Sequence, residues 1–293
     1  ISKLNKTIFR TPGIEYLKKN NNLTKKSKYL NFWVNRFKKK NSFRYFFFDN
    51  NQKGEDGYIF NSTKDYKISP QMFQSLAFYG ILIIKNALPK NELTKITKLF
   101  DDLKKLNEND YWLSSPKKIK GRIDTDLNVV RANIDKLDHL KDYSNQATKR
   151  IYNKIVEPNV DLHYLKINKN EEKAIRGETY LHCDRFVPHF KMFYTPHTIG
   201  VSDAPFEYAL QSHKIDNNYI EFFKNSIFFD ENDELSKKLY KKRIKVTTEP
   251  NTLYIAFTNG LHRRSDFKNK SERNMMFFQY VEKYNKLNYF FSR

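Results

Sequence analysis

Residues 181–196 read LHCDRFVPHFKMFYTP, and the fold turns on how this stretch is taken. Phe190 to Thr195 is one of a series of short β-rich runs that begins beyond Val160. The others are Leu162 to Ile167, Glu178 to His182, Phe206 to Leu210, Ile244 to Thr247, Leu253 to Phe257 and Met275 to Val281. Turn residues punctuate these runs, the pattern of an all-β sandwich or barrel with helices packed outside it. At the end of the strand before Phe190, alternate side chains share a face, so His182 and Asp184 project together while Cys183 turns away. An imidazole nitrogen and a carboxylate oxygen on one face are two ligands for a divalent metal. His262, in TNGLHRRSDF just after the strand Leu253 to Phe257, is the natural third. Two His and one carboxylate on one side of a metal leave open positions, the set used by non-haem Fe(II) oxygenases. Arg273 follows 11 residues after His262, where a guanidinium can grip a carboxylate with two prongs.

Upstream the pattern is helical. Ser69-Pro70 sets an N-cap before a proline at the first helical position, and that helix carries Met72, Phe73, Leu76 and Phe78 to its end at Gly80. Ile81 to Ile84 is a short apolar strand. Lys90 to Lys105 repeats Leu93, Ile96, Leu99, Phe100 and Leu103 as an amphipathic helix, and a third helix is expected over Leu137 to Ile155. Residues 1–68 read as a basic, aromatic-rich N-terminal extension. In it Tyr29 to Lys40 has helical spacing, and Arg44 to Phe48 reads as a short strand or docking segment. Residues 69–293 form the main domain, interrupted by a charged insertion near 217–242.

Composition narrows the function classes. The 293 residues carry 54 Lys+Arg against 33 Asp+Glu, net +21, and +11 of this lies in residues 1–50. Such an arm suits phosphate-rich partners or an anionic membrane surface. Lys, Asn, Ile, Phe and Tyr also share AT-rich codons, so a biased genome would raise them together, and charge alone does not make this a nucleic-acid protein. With 39% hydrophobic and 16% aromatic residues a packed core is available despite a mean hydropathy of −0.79. The single cysteine excludes a disulfide-stapled scaffold. No apolar run approaches the ~20 residues of a membrane span. ISKLNKTIFR has no signal-peptide core, so the expectation is a cytoplasmic protein, membrane-peripheral if the arm docks.

Four ordered motifs together resemble the phytanoyl-CoA dioxygenase-like branch of the Fe(II)/2-oxoglutarate oxygenases. They are ISPQMFQSLAFYGILIIKNALPKNELTKI, LHCDRFVPHFKMFYTP, DAPFEYALQSHK and TLYIAFTNGLHRRSDFKNKSERNMMFFQY, and they run from about Ser69 to Tyr280. The resemblance implies a mainly β fold with flanking helices around a double-stranded β-helix (jelly-roll, cupin-like). It implies iron held by His182, Asp184 and His262, and 2-oxoglutarate with its far carboxylate on Arg273. Oxidative decarboxylation to succinate and CO2 would be coupled to dioxygen-dependent hydroxylation of an unactivated C–H, with ascorbate as a supporting reductant in vitro. Asp184 disfavours halogenation, which needs a small residue there. Two departures stand out. Ala204 replaces the glycine of the family's Gly-Pro, and Leu210-Gln211 replaces the Pro-Gly before Ser212-His213-Lys214.

Other residues admit two readings. Lys191 and Phe193 alternate on the strand after Asp184, and Lys191 is a candidate cofactor contact. Tyr180 lines the pocket or fills core. Arg263 and Arg264 reach an anionic substrate group or sit in solvent. His189, His197 and His213 are expected to be structural or exposed, Cys183 a small core residue, and Trp112 and Arg122 part of a loop at the mouth. The form of the motifs favours an anionic glycan or lipid-linked saccharide over the acyl-CoA of the family name, with a free amino acid or other small metabolite the alternative. The rival reading is a non-catalytic β-helix that binds a polyanion through its basic surface.

Overall fold

The computed structural model describes residues 34–49, 57–105, 127–131, 137–153, 163–170, 181–184, 188–217, 219–220, 234–239, 241–265 and 271–280. Two sheets face each other. The larger is built from β1 (Ile59–Asn61), β2 (Ile81–Lys85), β3 (Leu127–Arg131), β4 (His163–Asn170), β5 (Phe190–Thr195), β8 (Thr252–Phe257) and β10 (Ser271–Tyr280), in the order β1-β2-β8-β5-β10-β4-β3. Only β1–β2 is parallel; the remaining pairs of this sheet are antiparallel. The smaller sheet has the order β7-β6-β9, from β6 (Phe206–Ala209), β7 (Arg243–Val246) and β9 (His262–Arg264). Among the described residues no helix is long and apolar enough to cross a membrane.

Strand alternation divides the larger sheet's side chains between two cores. Leu82, Ile84, Phe190, Met192, Tyr194, Leu253, Ile255, Phe257, Met276 and Phe278 point to the helical side. There they meet α1 (Asn41–Phe47), α2 (Pro70–Tyr79), α3 (Lys90–Lys105) and α4 (Asp138–Tyr152). Ile81, Ile83, Phe193, Tyr254, Ala256 and Met275 point the other way, against Phe206, Tyr208 and Val246 of the smaller sheet. This second core holds the site. A further short helix, α5 (Glu234–Leu239), falls within the expected charged insertion.

Local sequence explains the best-defined helix. Ser69 Oγ accepts from the Met72 N–H at 3.2 Å, Pro70 opens the helix, and Gly80 closes it in the left-handed conformation at φ 82°. A side chain at Gly80 would collide with the His213 ring and the Tyr208 hydroxyl.

Arg44 to Phe48 is not a strand. It lies in and just beyond helix α1, because Phe43, Phe46 and Phe47 stand at i, i+3 and i+4 and bury one apolar face. That spacing overrides the β-preference of aromatics. The rings of Phe46 and Phe47 lie 5.6 and 4.6 Å from that of Phe257, so this part of the arm packs onto the sheet. Residues 1–33 and 50–56 of the arm lie outside the described residues, as does most of 217–242.

Lys214 ties α1 to the rest: its ammonium donates to the Phe46 carbonyl at 3.2 Å and the Asp49 carbonyl at 2.8 Å. Burial pulls its pKa from 10.5 down to about 8, against a smaller opposing pull from Asp49. Below about pH 8 the folded protein carries the full cost of burying this charge. Above it the folded site releases its proton while the unfolded chain keeps one until about pH 10.5. Stability contributed by this site therefore rises with pH across that window, by up to about 3 kcal/mol. Urea unfolding at pH 7.5 and 9.5 should show this rise in the wild type and lose it in Lys214→Met; equal pH slopes would contradict the assignment.

Candidate metal centre

Two segments distant in sequence, 181–184 and 258–262, meet beside the smaller sheet. His182 and His262 pair as an antiparallel bridge, each N–H donating to the other's carbonyl at 2.9 Å. Two residues on, the Asp184 N–H donates to the Thr258 carbonyl at 2.8 Å. Alternation then puts His182 and Asp184 on the His262 side and Cys183 into the main core. Burial, with Asp184 adding to it, holds the Cys183 thiol well above its ordinary pKa, so it is not a reactive thiolate.

The donor atoms converge. Nε2 of His182 lies 4.0 Å from Asp184 Oδ1, Nε2 of His262 lies 3.6 Å from Asp184 Oδ2, and one ligand atom from each residue falls within 4.8 Å of the others. Atoms so spaced share a centre about 2–3 Å from each, so a small closure brings all three to metal-bond length. The tautomer also fits. His262 Nδ1 is 2.9 Å from the Gly260 carbonyl, which only accepts, so the neutral ring carries its proton there and turns the Nε2 lone pair toward Asp184.

Asp184 is kept ionised. Burial would raise its pKa, but the Lys191 ammonium beside it, the largest opposing influence, holds it well below the usual carboxylate range. Lys191 Nζ is 2.7 Å from Asp184 Oδ2 and 4.9 Å from the centre of the Phe277 ring. The residue singled out as a cofactor contact thus rests on the carboxylate itself. His189, set aside in the sequence as structural or exposed, is fully buried, with Nδ1 3.9 Å from Asp184 Oδ2 and 2.6 Å from Thr258 Oγ1. The signal was available: His189, Lys191 and Phe193 share one parity.

The segment Phe206 to Lys214 positions the distal histidine. Ser212 Oγ donates to the Ala209 carbonyl at 2.6 Å and accepts from the Leu261 N–H at 2.7 Å. Asn259 Nδ2 donates to the His213 carbonyl at 2.9 Å. His213 is fully buried, its Nε2 3.1 Å from the Ala77 carbonyl, and burial followed by Lys214 keeps it neutral. His197 is half-buried beside Phe100. A side chain at Gly260 would come within 2.6 Å of the Tyr208 hydroxyl. The two departures from the family pattern have a physical reading. Ala204 (φ 52°) and Gln211 (φ 67°) both adopt the left-handed conformation that glycine takes freely. The turns keep their shape at a cost of about 1–2 kcal/mol each.

The arginines part company. Arg263 Nε donates to the buried Glu207 Oε2 at 3.0 Å on one face of β9, while Arg264 shares the other face with His262 and is buried. Arg273 is buried too, donating from Nη1 to the Ala204 carbonyl. Tyr180, Trp112 and Arg122 lie outside the described residues.

No family model and no curated protein matches the chain. Among solved structures it is similar to AviO1 from Streptomyces viridochromogenes Tue57, at 15% identity over 71% of this chain and 92% of that one, TM-score 0.48. It is also similar to EctD from S. alaskensis with bound Fe (13%, 74% and 78%, TM-score 0.46). A third is HygX from Streptomyces hygroscopicus with nickel and 2-oxoglutarate bound (12%, 74% and 88%, TM-score 0.43). At such identities and scores nothing about this site follows from those proteins; it follows from the atoms around His182, Asp184 and His262.

Ser212→Ala leaves the buried Leu261 N–H without its acceptor, beside His262. We expect a loss of about 1–3 kcal/mol in urea unfolding and a roughly 10- to 100-fold weaker divalent-metal affinity by titration. Unchanged metal affinity would separate this segment from the site.

Proposed function

We propose that this protein is an Fe(II)- and 2-oxoglutarate-dependent dioxygenase built on a double-stranded β-helix. One observation carries the reading. Two imidazoles and a carboxylate kept ionised converge within 4.8 Å, with His262 held in the tautomer that offers Nε2. His182, Asp184 and His262 are the metal ligands. When bound, Fe(II) supplies, with 2-oxoglutarate and dioxygen, the oxidative decarboxylation to succinate and CO2 that is coupled to hydroxylation of an unactivated C–H.

The chain's own groups do the rest. Asp184 brings the negative charge that a dication needs, and Lys191 neutralises it until then. Arg273 binds the far carboxylate of 2-oxoglutarate, one arm of its fork braced on the Ala204 carbonyl. Phe193, Phe206 and Tyr254 line the interior between these ends, their rings 4.6–5.8 Å apart, and exclude water from it. The substrate is an anionic glycan, a lipid-linked saccharide or a small metabolite. The net charge of +21 supports an anionic one, and the basic arm supports peripheral contact with an anionic membrane. A reducing, cytoplasmic setting suits both Fe(II) and the lone Cys183.

The test is succinate release from 2-oxoglutarate by protein reconstituted with Fe(II) and ascorbate. Wild type should turn over, and alanine at His182, Asp184 or His262 should abolish turnover and bound iron together while the fold persists. Arg273→Lys should raise the 2-oxoglutarate requirement about 10- to 150-fold, the worth of a charge-assisted hydrogen bond. A wild type that binds iron without consuming 2-oxoglutarate would favour the non-catalytic polyanion-binding reading.

A further inference from the structure

A second basic run lies far along the chain from the N-terminal arm. Residues 235–248 carry six cations, Lys237, Lys238, Lys241, Lys242, Arg243 and Lys245, and no carboxylate. The run leads from the end of α5 into β7, an edge strand of the smaller sheet. Lys241, Lys242 and Lys245 are exposed, and among the described residues none of the three has a side-chain partner. Lys245 pairs in register with Glu207, but that carboxylate is buried and already engaged by Arg263 at 3.0 Å and Ser265 at 2.9 Å. One charge on so short a strand is enough to keep an edge from pairing with another chain, and Lys245 meets that need. Lys241 and Lys242, which precede the strand, are left over.

Beside these lysines the second core comes to the surface. The Leu210 N–H donates to the Lys242 carbonyl at 2.8 Å, and the Gln211 N–H donates to the Tyr79 carbonyl at 2.9 Å. The Tyr79 ring lies 5.3 Å from that of Tyr58 and 4.8 Å from that of Phe78. Tyr58, Phe78, Leu210 and Ile244 are each only half-buried against this core. Ile59, paired with Ile83 and so on the same side, is 49% exposed. Contact by contact, an apolar strip runs from β1, an edge of the larger sheet, to β7, with lysines at its β7 end. A soluble polyanion is met by the charges and gains nothing from an uncovered isoleucine. A bilayer interface takes both, apolar side chains at the headgroup boundary and lysines on anionic headgroups.

We propose that this strip and its lysines form a docking surface for an anionic lipid bilayer, separate from the N-terminal arm. Its β7 end is two strands, about 10 Å, from β9 and His262, so a docked bilayer brings the head group of a lipid-linked substrate near the metal centre. That choice of substrate rests on the dioxygenase reading above; the docking itself does not.

The experiment is co-sedimentation of the full-length, metal-free protein with vesicles of phosphatidylcholine, alone or with phosphatidylglycerol added. Wild type should partition to the anionic vesicles and not to phosphatidylcholine alone. Each lysine at an anionic surface is worth about fivefold, so Lys241→Gln, Lys242→Gln and Lys245→Gln together should weaken partition roughly 100-fold. Arginine at all three positions should restore it, and Ile59→Asp should weaken it with the lysines intact. Lys241→Glu with Lys245→Glu keeps the edge charged, should also lose partition, and decides the question should the glutamine variant aggregate. Wild type left in the supernatant, or lysine variants that partition like wild type, would overturn the docking surface. Tighter binding to heparin or RNA than to vesicles, unchanged by Ile59→Asp, would overturn the bilayer in favour of a soluble polyanion. Because no iron takes part, each of these outcomes leaves the dioxygenase reading to its own test.

Discussion

The antiparallel bridge between His182 and His262 is the contact on which the site depends. Two backbone hydrogen bonds of 2.9 Å join residues separated by most of the β-rich half of the chain. They fix which faces of the two segments meet, because in extended chain a slip of one residue would turn His182 and Asp184 outward and Cys183 in. The bond from Asp184 N–H to Thr258 locks the register a second time. The turn Thr258 to Leu261 can pass so close to Tyr208 and Ser212 only because position 260 is glycine. The segment Phe206 to Lys214 is therefore best understood as a brace. It accepts from Leu261, donates to Ala77, Phe46 and Asp49, and so ties the distal histidine to α1 and α2.

Around that bridge the interior is electrostatically lopsided. An ionised carboxylate is retained against its burial because Lys191 sits on it, and Arg264 and Arg273 are both buried. Buried cations in an apolar space are costly as structural elements, since apolar replacements would serve stability as well. In the proposed function the charge of Arg273 serves to bind the anionic cosubstrate, an attraction that a low-dielectric interior strengthens.

The sequence announced some of this clearly. The helix from Ser69 to Gly80 was legible because its cap, its proline and its terminal glycine are local signals, and Phe190 to Thr195 emerged with the bounds it has. His182, Asp184 and His262 could be named together because strand alternation and a motif pattern agreed. Arg44 to Phe48 misled because aromatic density suggests strand, while the spacing of Phe43, Phe46 and Phe47 was the stronger cue. Side-chain destinations were harder. Nothing local separates Arg263 from Arg264; the pairing of β6 with β9, a long-range contact, sends one to Glu207 and the other inward. The same holds for Lys191, whose partner is set by how β5 meets the Asp184 segment. At the two positions where the family pattern has glycine, the backbone holds Ala204 and Gln211 in left-handed conformations, which the identity of the side chains does not announce.

The most direct measurement is a crystal structure of the protein loaded anaerobically with Fe(II), with the iron located by its anomalous scattering. One iron should be bonded at about 2.0–2.2 Å to Nε2 of His182, Nε2 of His262 and a carboxylate oxygen of Asp184. Lys191 Nζ should withdraw from its 2.7 Å contact with Asp184. An iron bound elsewhere, or a Lys191–Asp184 pair left intact with no metal between the histidines, would contradict this ligand set.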